Sequence, residues 1–474
     1  MSNNRGKSLV KNTIIITIGT ICTKMITFLL LPLYTNILNT EEYGIVDLLT
    51  TLISLLLPII TFQIEQAVFR ELIEVRDSKK SKKTIISSGF FTVVFQSGIY
   101  LLCFLSISPI IQNDYKIFLI TNVIANIILS LFLQILRGLG DNKKYAIVSF
   151  LDAFFIIVCN IIFLLFFRLR VTGMLLGNLI GHIICIIIII ISSKMYQYIS
   201  FKFFNKNIVK KLLMYSLPLV PNAISWWIFS SSDRVIVSMF LGLSMNGILS
   251  AASKFSGIYI NVYNIFNMSW TESIALHIND EDISDYFNKM FLSIFKLFFS
   301  FCLIFISIMP FLYKVMVNKE YIYGLDIVPI LLVGSLFNVI IGLISVIYVA
   351  KKNTKAIAST SIISAVLNIV IHLSLIGAIG IYAAAISTAA AYFIMCIYRL
   401  YDIDKKYIKI HIEKKILLVM TVSLITCIYM FYIDNIYFNV TNIVLSLIAS
   451  VYLNKKSMKE VMHIIKGKIG KVIL

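Results

Sequence analysis

The sequence predicts an all-α integral membrane protein of about fourteen transmembrane helices, with twelve as the alternative count. Three observations carry that prediction. Hydrophobic residues make up 59% of the chain and charged residues 14%, with a mean hydropathy of +0.92, far from a soluble domain's balance. Apolar runs of the length that crosses a bilayer, about 20 residues, follow one another end to end, and their connecting loops alternate between lysine-rich and lysine-poor. The pattern then repeats after roughly 205 residues, as constant offsets between matching segments indicate.

The spans follow in order. Span 1 (12–37) comes after the basic stretch Met1–Lys11. It is too long for a signal-peptide core, carries Lys24, and has no small-residue cleavage site. Span 2 (43–69) starts after a turn without bases and stops at the basic loop 70–83. Spans 3 (84–108) and 4 (116–136) form the next pair, and 5 (145–167) and 6 (172–193) the third. Residues 194–211 alternate bases with aromatics, as an interfacial linker does. Spans 7 (212–241), 8 (246–269), 9 (288–311), 10 (325–350), 11 (355–376) and 12 (380–399) repeat the plan. Spans 13 (416–433) and 14 (437–453) close the chain before a basic tail. The predicted domains are therefore 1–193, the linker 194–211, 212–400, and 401–474.

The formal net charge of +19 does not call for nucleic acid. Of 42 Lys and Arg, counting bases at span edges with the adjoining loops, 33 fall in loops and tails on the side of the N-terminus, 5 in the opposite loops and 4 deeper inside spans. Cytoplasmic loops are enriched in Lys and Arg, so both termini are expected in the cytoplasm. The excess charge also draws anionic lipid headgroups. One loop breaks the rule: 271–287 holds Glu272, Asp280, Glu281, Asp282 and Asp285 and no base. Acids contribute little to orientation, so the topology stands, and the loop's role is left open. The seven cysteines all lie in spans without metal-ligand spacing, which points to buried thiols and to no metal.

Within the repeat, Leu38–Gly44–Ile45 matches Leu241–Gly247–Ile248. Asp141–Asn142–Lys143–Lys144–Tyr145–Ala146–Ile147 matches Lys351–Lys352–Asn353–Thr354–Lys355–Ala356–Ile357. Asn160–Ile161 matches Asn368–Ile369, and Gly173 matches Gly380. Six spans is an even number, so the copies enter the membrane from the same side as parallel repeats. Transporters of that plan place their substrate path between the halves.

An ionisable group at mid-bilayer costs roughly 2.5–3.5 kcal/mol, which makes it a functional candidate. Lys24 lies about 20 Å of helix into span 1, at 1.5 Å per residue, and is read as a cavity base, with a structural ion pair as the alternative. Asp233 and Arg234 interrupt span 7 after Ser230–Ser231–Ser232. Either they pair neutrally between helices, or Arg234 holds an anion while Asp233 positions it or titrates. Lys254 in span 8 lines the cavity or snorkels along an apolar surface. Glu65, one turn inside span 2, is a gate or proton-site candidate, and Arg70 lies just beyond it. Lys296 and Asp152 are read as structural, and His182 and His372 as core histidines. The better bases, Lys24, Arg70, Arg234 and Lys254, fall on spans 1, 2, 7 and 8. Together they would suit a phosphate-bearing anionic ligand, since Arg offers a fork of donors and Lys a point charge.

Pro32, Pro58, Pro218 and Pro221 sit on spans 1, 2 and 7, as hinges or as packing features. Asn222, Ser225, Trp226 and Trp227 give span 7 a polar and aromatic surface able to contact sugar, interfacial tryptophan being the alternative.

On these residues the chain resembles the Wzx-type polysaccharide flippases of the multidrug/oligosaccharidyl-lipid/polysaccharide (MOP) exporter superfamily, which also holds the MurJ lipid II flippases and the MATE drug exporters. The opening KNTIIITIGTICTKMITFLLLPLYTNILNTEEYGIVDL carries the likeness, as does YSLPLVPNAISWWIFSSSDRVIVSMFLG with the NGILSAASKFSGIYINVYNIFNMSWTES that follows. LRGLGDNKKYAI adds to it. The resemblance implies two six-helix lobes forming a V around a central cationic cavity, switching by alternating access. It implies translocation of undecaprenyl-pyrophosphate-linked oligosaccharide units to the outer leaflet for O-antigen, lipopolysaccharide or capsule assembly. The implied partners are that lipid, membrane lipids, a polysaccharide polymerase and a chain-length regulator. No cofactor is implied beyond H⁺ or Na⁺ coupling, and no counterpart of the acidic sodium site of the murein-type members is present. Lys24 and Asp233–Arg234 match family positions, and spans 13–14 correspond to the pair that borders a lipid-tail groove in lipid-carrying members.

Two other classes compete. An ion-coupled exporter of amphiphilic drugs would prefer acids at mid-span, where bases outnumber them here. A glycosyl-transferring membrane enzyme would need a substantial outer loop with carboxylates or histidines, and the outer loops here are short.

Overall fold

Helices account for nearly every described residue, and no strand occurs among them. The computed structural model describes residues 25–76, 78–109, 114–433 and 435–470, with side chains through Lys455. Twelve of its helices are long and apolar enough to cross a membrane, so the protein is a multi-pass membrane protein. Contacts divide the chain into two compact units, 1–238 and 239–474.

In the first unit, α1 (Leu31–Ile37) follows a turn at Leu30 and carries Pro32 in its first turn. Residues 12–24 of predicted span 1, Lys24 included, lie outside the described residues. Helix α2 (Thr40–Thr61) begins with a capping box: Asn39 accepts from the Glu42 amide, and Glu42 accepts from the Asn39 amide at 3.0 Å, satisfying two orphan donors. Predicted span 2 differs from the structure at its inner end. Phe62 and Gln63 both take left-handed φ (49° and 60°), ending α2 and starting the short amphipathic α3 (Ile64–Glu74). No glycine or proline marks the break, and Pro58 sits buried inside α2. Helices α4 (Lys79–Ile107), α5 (Lys116–Gly138), α6 (Asn142–Ile161) and α7 (Arg170–Ser192) complete the predicted six.

Between membrane helices the driving force is close packing rather than water exclusion, so small residues mark the seams. Gly177 and Gly181 of α7 show it. A Cβ on Gly177 would lie 2.0 Å from Asn160 Oδ1, and one on Gly181 2.5 Å from Ile156 Cγ1 of α6. Arg76 Nε donates to Gly138 O at 2.8 Å, placing a cation on the carbonyl end of α5. The predicted linker 194–211 lies within the first unit. It forms two 3₁₀ turns and the start of α8 (Lys206–Ser216), and is held to α4 where Ser87 Oγ donates to Tyr198 O at 2.8 Å. The boundary between units falls inside α9 (Val220–Leu241).

The second unit contains α10 (Leu243–His277), α11 (Ile283–Met316), α12 (Val328–Ala350), α13 (Thr354–Ile379), α14 (Tyr382–Lys406), α15 (Lys414–Tyr432) and α16 (Ile436–Gly470). Predicted span 8 lies in the 35-residue α10, whose Asn, Ser and Lys residues keep it outside the twelve most apolar helices. The unit is tied internally by buried aromatic donors: Tyr259 OH to Phe298 O (2.9 Å) and Trp270 Nε1 to Leu343 O (3.0 Å). The acidic loop now has a physical account. Asp282 precedes α11 and Asp285 lies in its first turn, where the helix dipole favours negative charge. Asp280 pairs with His277 at 2.6 Å.

Local geometry recurs between the units. Gly140 (φ 89°) and Asp141 (φ −86°, ψ 59°) join α5 to α6, and Lys352 (φ 57°) and Asn353 (φ −89°, ψ 64°) join α12 to α13. Asp141 and Asn353 both cap the next helix through their side chains. Asn160 and Asn368, matched in sequence, are both buried.

Candidate functional site

Polar groups concentrate where α9 runs beside α2. Trp227 Nε1 donates to Thr51 O at 3.1 Å and to Ser54 Oγ at 3.0 Å. Two turns further along α9, Arg234 Nε stands 2.9 Å from Asp47 Oδ2, their side chains 23% and 11% exposed. The contact lies off the N–H direction, so it is an ion pair rather than a hydrogen bond. Arg234 NH1 donates instead to Ser230 O at 3.3 Å. The spacing explains the seam. Asp47, Thr51 and Ser54 lie at i, i+4 and i+7 on one face of α2, and Trp227 and Arg234 are seven apart on α9.

Of the 22 residues of α9, Phe229, Ser232 and Val237 are buried. Asn222, Pro218 and Pro221 are exposed, and Trp226 is 55% exposed. Pro218 lies in a 3₁₀ turn separating α8 from α9, and Pro221 in the first turn of α9. Asp233 is half-buried. The structure thus brings Trp227 and Arg234 together on α2 and leaves Asn222 and Trp226 apart from them.

The remaining predicted residues are dispersed. Glu65 is 3% exposed in the first turn of α3, directly after the helix break, and its Oε2 has no hydrogen-bond partner among the described residues. Beside the break, Gln96 Nε2 of α4 donates to Thr61 O at 3.3 Å. Arg70 faces outward from α3 and pairs with Glu74 one turn on, at 3.0 Å. Lys254 lies half-buried on α10 in the second unit.

Sequence reasoning missed several polar residues. Asp47 was hidden by its position two turns from Glu41 and Glu42, at the end of a span. Arg399, counted with the loop bases, is 3% exposed. It donates to Thr360 Oγ1 (3.0 and 2.7 Å), Ser345 Oγ (2.6 Å), Ser361 Oγ (3.1 Å) and Ile357 O (3.1 Å), clamping α14 to α12 and α13. Asp152 and His182, read separately, form a pair across α6 and α7. Among the described residues no three His, Cys, Asp or Glu side chains group as metal ligands.

Spans 13 and 14 border a groove of about 470 Å³ lined by Leu418, Val422, Thr426, Leu445, Ala449 and Tyr452, among others. Its walls are largely apolar. Asn442 Nδ2 donates to Cys427 O at 2.9 Å and Asn454 Nδ2 to Ser300 Oγ at 2.7 Å, tying α16 to α15 and α11.

The fold is that of MOP-superfamily transporters. The lipid II flippase MurJ in an inward closed conformation is similar over 95% of this chain and 100% of its own, with a TM-score of 0.67 at 17% identity. An inward-facing multidrug resistance MATE family transporter of the MOP superfamily is similar over 78% of this chain and 91% of its own, with a TM-score of 0.63 at 12% identity. No curated protein matches the chain by sequence. The polysaccharide biosynthesis protein family matches residues 9–271, more than half of the chain. Twelve apolar helices in a MOP transporter fold, with that match running from the N-terminal segment through the α2–α9 seam into α10, place the chain in the polysaccharide biosynthesis protein family.

Proposed function

We propose that the protein is a flippase that moves undecaprenyl-pyrophosphate-linked oligosaccharide repeat units from the cytoplasmic to the outer leaflet of the bacterial inner membrane, for O-antigen, lipopolysaccharide or capsule assembly. The observation that carries the reading is Arg234. A guanidinium within a span, beside Trp227 and a run of serines, costs several kcal/mol unless it serves a ligand or a partner. A pyrophosphate is the anion that a guanidinium fork recognises, and indole and hydroxyl groups suit sugars. The apolar groove between α15 and α16 suits a polyprenyl tail.

In this reading the two six-helix lobes, 1–193 and 212–400 joined by 194–211, form a V and alternate access around a cavity with Lys24, Arg70, Arg234 and Lys254 as its bases. Asn222, Trp226 and Trp227 contact sugar, and Pro32, Pro58, Pro218 and Pro221 act as hinges. Glu65 and Asp233 are the candidates for gating or for coupling to H⁺ or Na⁺. Both termini face the cytoplasm, and a polymerase and chain-length regulator take up the product. The protein transports and does not catalyse a covalent step.

The test is the leaflet accessibility of the lipid-linked repeat unit in cells with and without this protein. Depletion is expected to trap the oligosaccharide on the cytoplasmic face. Normal display on the outer face would overturn the reading and favour the drug-exporter alternative, for which the buried Glu65 carboxylate is the supporting observation.

A further inference from the structure

Asp47 belongs to no predicted site, yet it holds the guanidinium on which the flippase reading rests. Its contact with Arg234 has three physical properties that matter together. The atoms stand 2.9 Å apart, close enough for a full ion pair. They meet off the N–H direction, so the guanidinium's directional donors are not committed to this carboxylate. Among the described residues, this pair and the Trp227 contacts to Thr51 and Ser54 join α9 to α2, and Phe229, Ser232 and Val237 of α9 are buried.

A carboxylate and a phosphoryl oxygen compete for the same donors, and a phosphate offers more acceptor oxygens and more charge. Counting from Thr40, Asp47 lies about 10 Å along α2, and Arg234 about 10 Å from the end of α9, at 1.5 Å per residue. The pair is thus level, at one depth of the membrane.

We propose that Asp47 and Arg234 form an exchangeable latch: a phosphoryl group entering beside α2 takes Arg234 from Asp47 and releases α9 from the Trp227–Ser54 seam. This rests on the flippase reading and adds to it a residue and a step. Asp47 is a positioning residue. It keeps Arg234 neutralised and α9 seated while no anion is bound, so the seam parts only when the right ligand arrives. Of the other charged groups on α2 and α9, Glu41 lies in the first turn of α2, Glu42 is engaged by Arg170 of α7 at 3.0 Å, and Asp233 neighbours Arg234 in sequence on α9.

The test is a labelling experiment on the full-length protein in nanodiscs, with native cysteines replaced and Ser54→Cys as reporter. A hydrophilic maleimide reads whether the seam is closed. Four arms are compared: plain lipid, lipid containing undecaprenyl pyrophosphate, plain lipid with inorganic pyrophosphate, and Asp47→Asn in plain lipid. Labelling is expected to rise severalfold with undecaprenyl pyrophosphate and, without any ligand, in Asp47→Asn. The charge-reversed Asp47→Arg/Arg234→Asp protein is expected to restore slow labelling in plain lipid and to lose the response to pyrophosphate. A response to inorganic pyrophosphate as well assigns the site to the phosphoryl group alone, and a response to the lipid only assigns it to the lipid-borne form.

Slow labelling in Asp47→Asn overturns the latch without touching the flippase reading, because that arm contains no substrate. Fast labelling in Asp47→Asn with no response to either phosphate overturns the exchange. A failure of oligosaccharide display in cells concerns the flippase reading alone.

Discussion

His182 Nδ1 lies 2.9 Å from Asp152 Oδ1, joining α6 to α7 about ten residues from the start of α6 and from the end of α7. That is roughly 15 Å below the helix ends at 1.5 Å per residue. The side chains are 13% and 18% exposed, so each would be left a poorly solvated polar group without the other. Asp152→Ala is expected to destabilise the protein by about 1 kcal/mol, the scale of interhelical hydrogen bonds in membrane proteins. Asp152→Asn, which keeps an acceptor in place, is expected to lose less than half of that. Thermal unfolding in detergent separates the two, and equal loss in both variants would assign the stabilisation to charge.

The same interface depends on the absence of side chains. Gly177→Leu forces a Cβ to 2.0 Å from Asn160 Oδ1 and 3.0 Å from the Asn160 backbone nitrogen, so turning the carboxamide aside still leaves the helix backbone in close contact. Overpacking of this kind costs about 1–3 kcal/mol. The expected outcome is a lower unfolding temperature with helix content unchanged, read by circular dichroism. A Gly177→Leu protein as stable as the parent would show that α6 and α7 separate without cost.

These contacts mark where sequence reading stops. The ladder of spans was legible because moving some twenty apolar residues out of water outweighs every local preference. The alternation of lysines was legible because charge placement is read one loop at a time. The junction 351–357 was matched to 141–147 by residue type, an offset of 210, whereas the shared backbone and capping geometry falls at Gly140–Asp141 and Lys352–Asn353, an offset of 212. Partnerships across helices were not legible. Asp47 and Arg234 are 187 positions apart, and only the rotation of α2 and α9 about their axes brings them together. Arg399 looked like a loop base because it ends an apolar run, and its burial depends on hydroxyls contributed by α12 and α13. The break at Phe62–Gln63 carries no glycine or proline, so nothing local announced it.

Arg399 gives the strongest stability prediction. Its guanidinium bonds three hydroxyls and one carbonyl on two neighbouring helices, and hydrogen bonds to a charged group contribute about 1.5–3 kcal/mol each. Arg399→Ala removes the buried charge with its bonds and opens space between α12, α13 and α14. A loss of at least about 2 kcal/mol is expected on the same scale. Arg399→Lys is expected to recover little of it, since an ammonium cannot span the fork that Ser345 and Thr360 occupy. Full recovery by lysine would show that charge alone holds these helices.

The groove between α15 and α16 makes a prediction that separates function from folding. Ala449 lies on its wall. Ala449→Trp fills part of the space with a side chain that apolar surroundings accept, so insertion and thermal stability are expected to stay at parental values. Flipping of a long-chain lipid-linked substrate is expected to fall severalfold, while a short-chain analogue is expected to move at the parental rate. Equal loss for both chain lengths would remove the groove from the tail's path.

Glu65 tests coupling. Its carboxylate is buried at the head of α3, where the helix dipole favours negative charge, and the chain breaks immediately before it. Half-helix ends inside membrane transporters are places where ions bind. Glu65→Gln preserves shape and one acceptor but can neither bind nor release a proton. If Glu65 couples transport to a proton gradient, flipping by the Gln protein in proteoliposomes proceeds at one rate whether or not a gradient is imposed, while the parent accelerates with it. If both respond to the gradient alike, Glu65 is structural: its burial then serves the junction between α2 and α3, and coupling must be sought at Asp233.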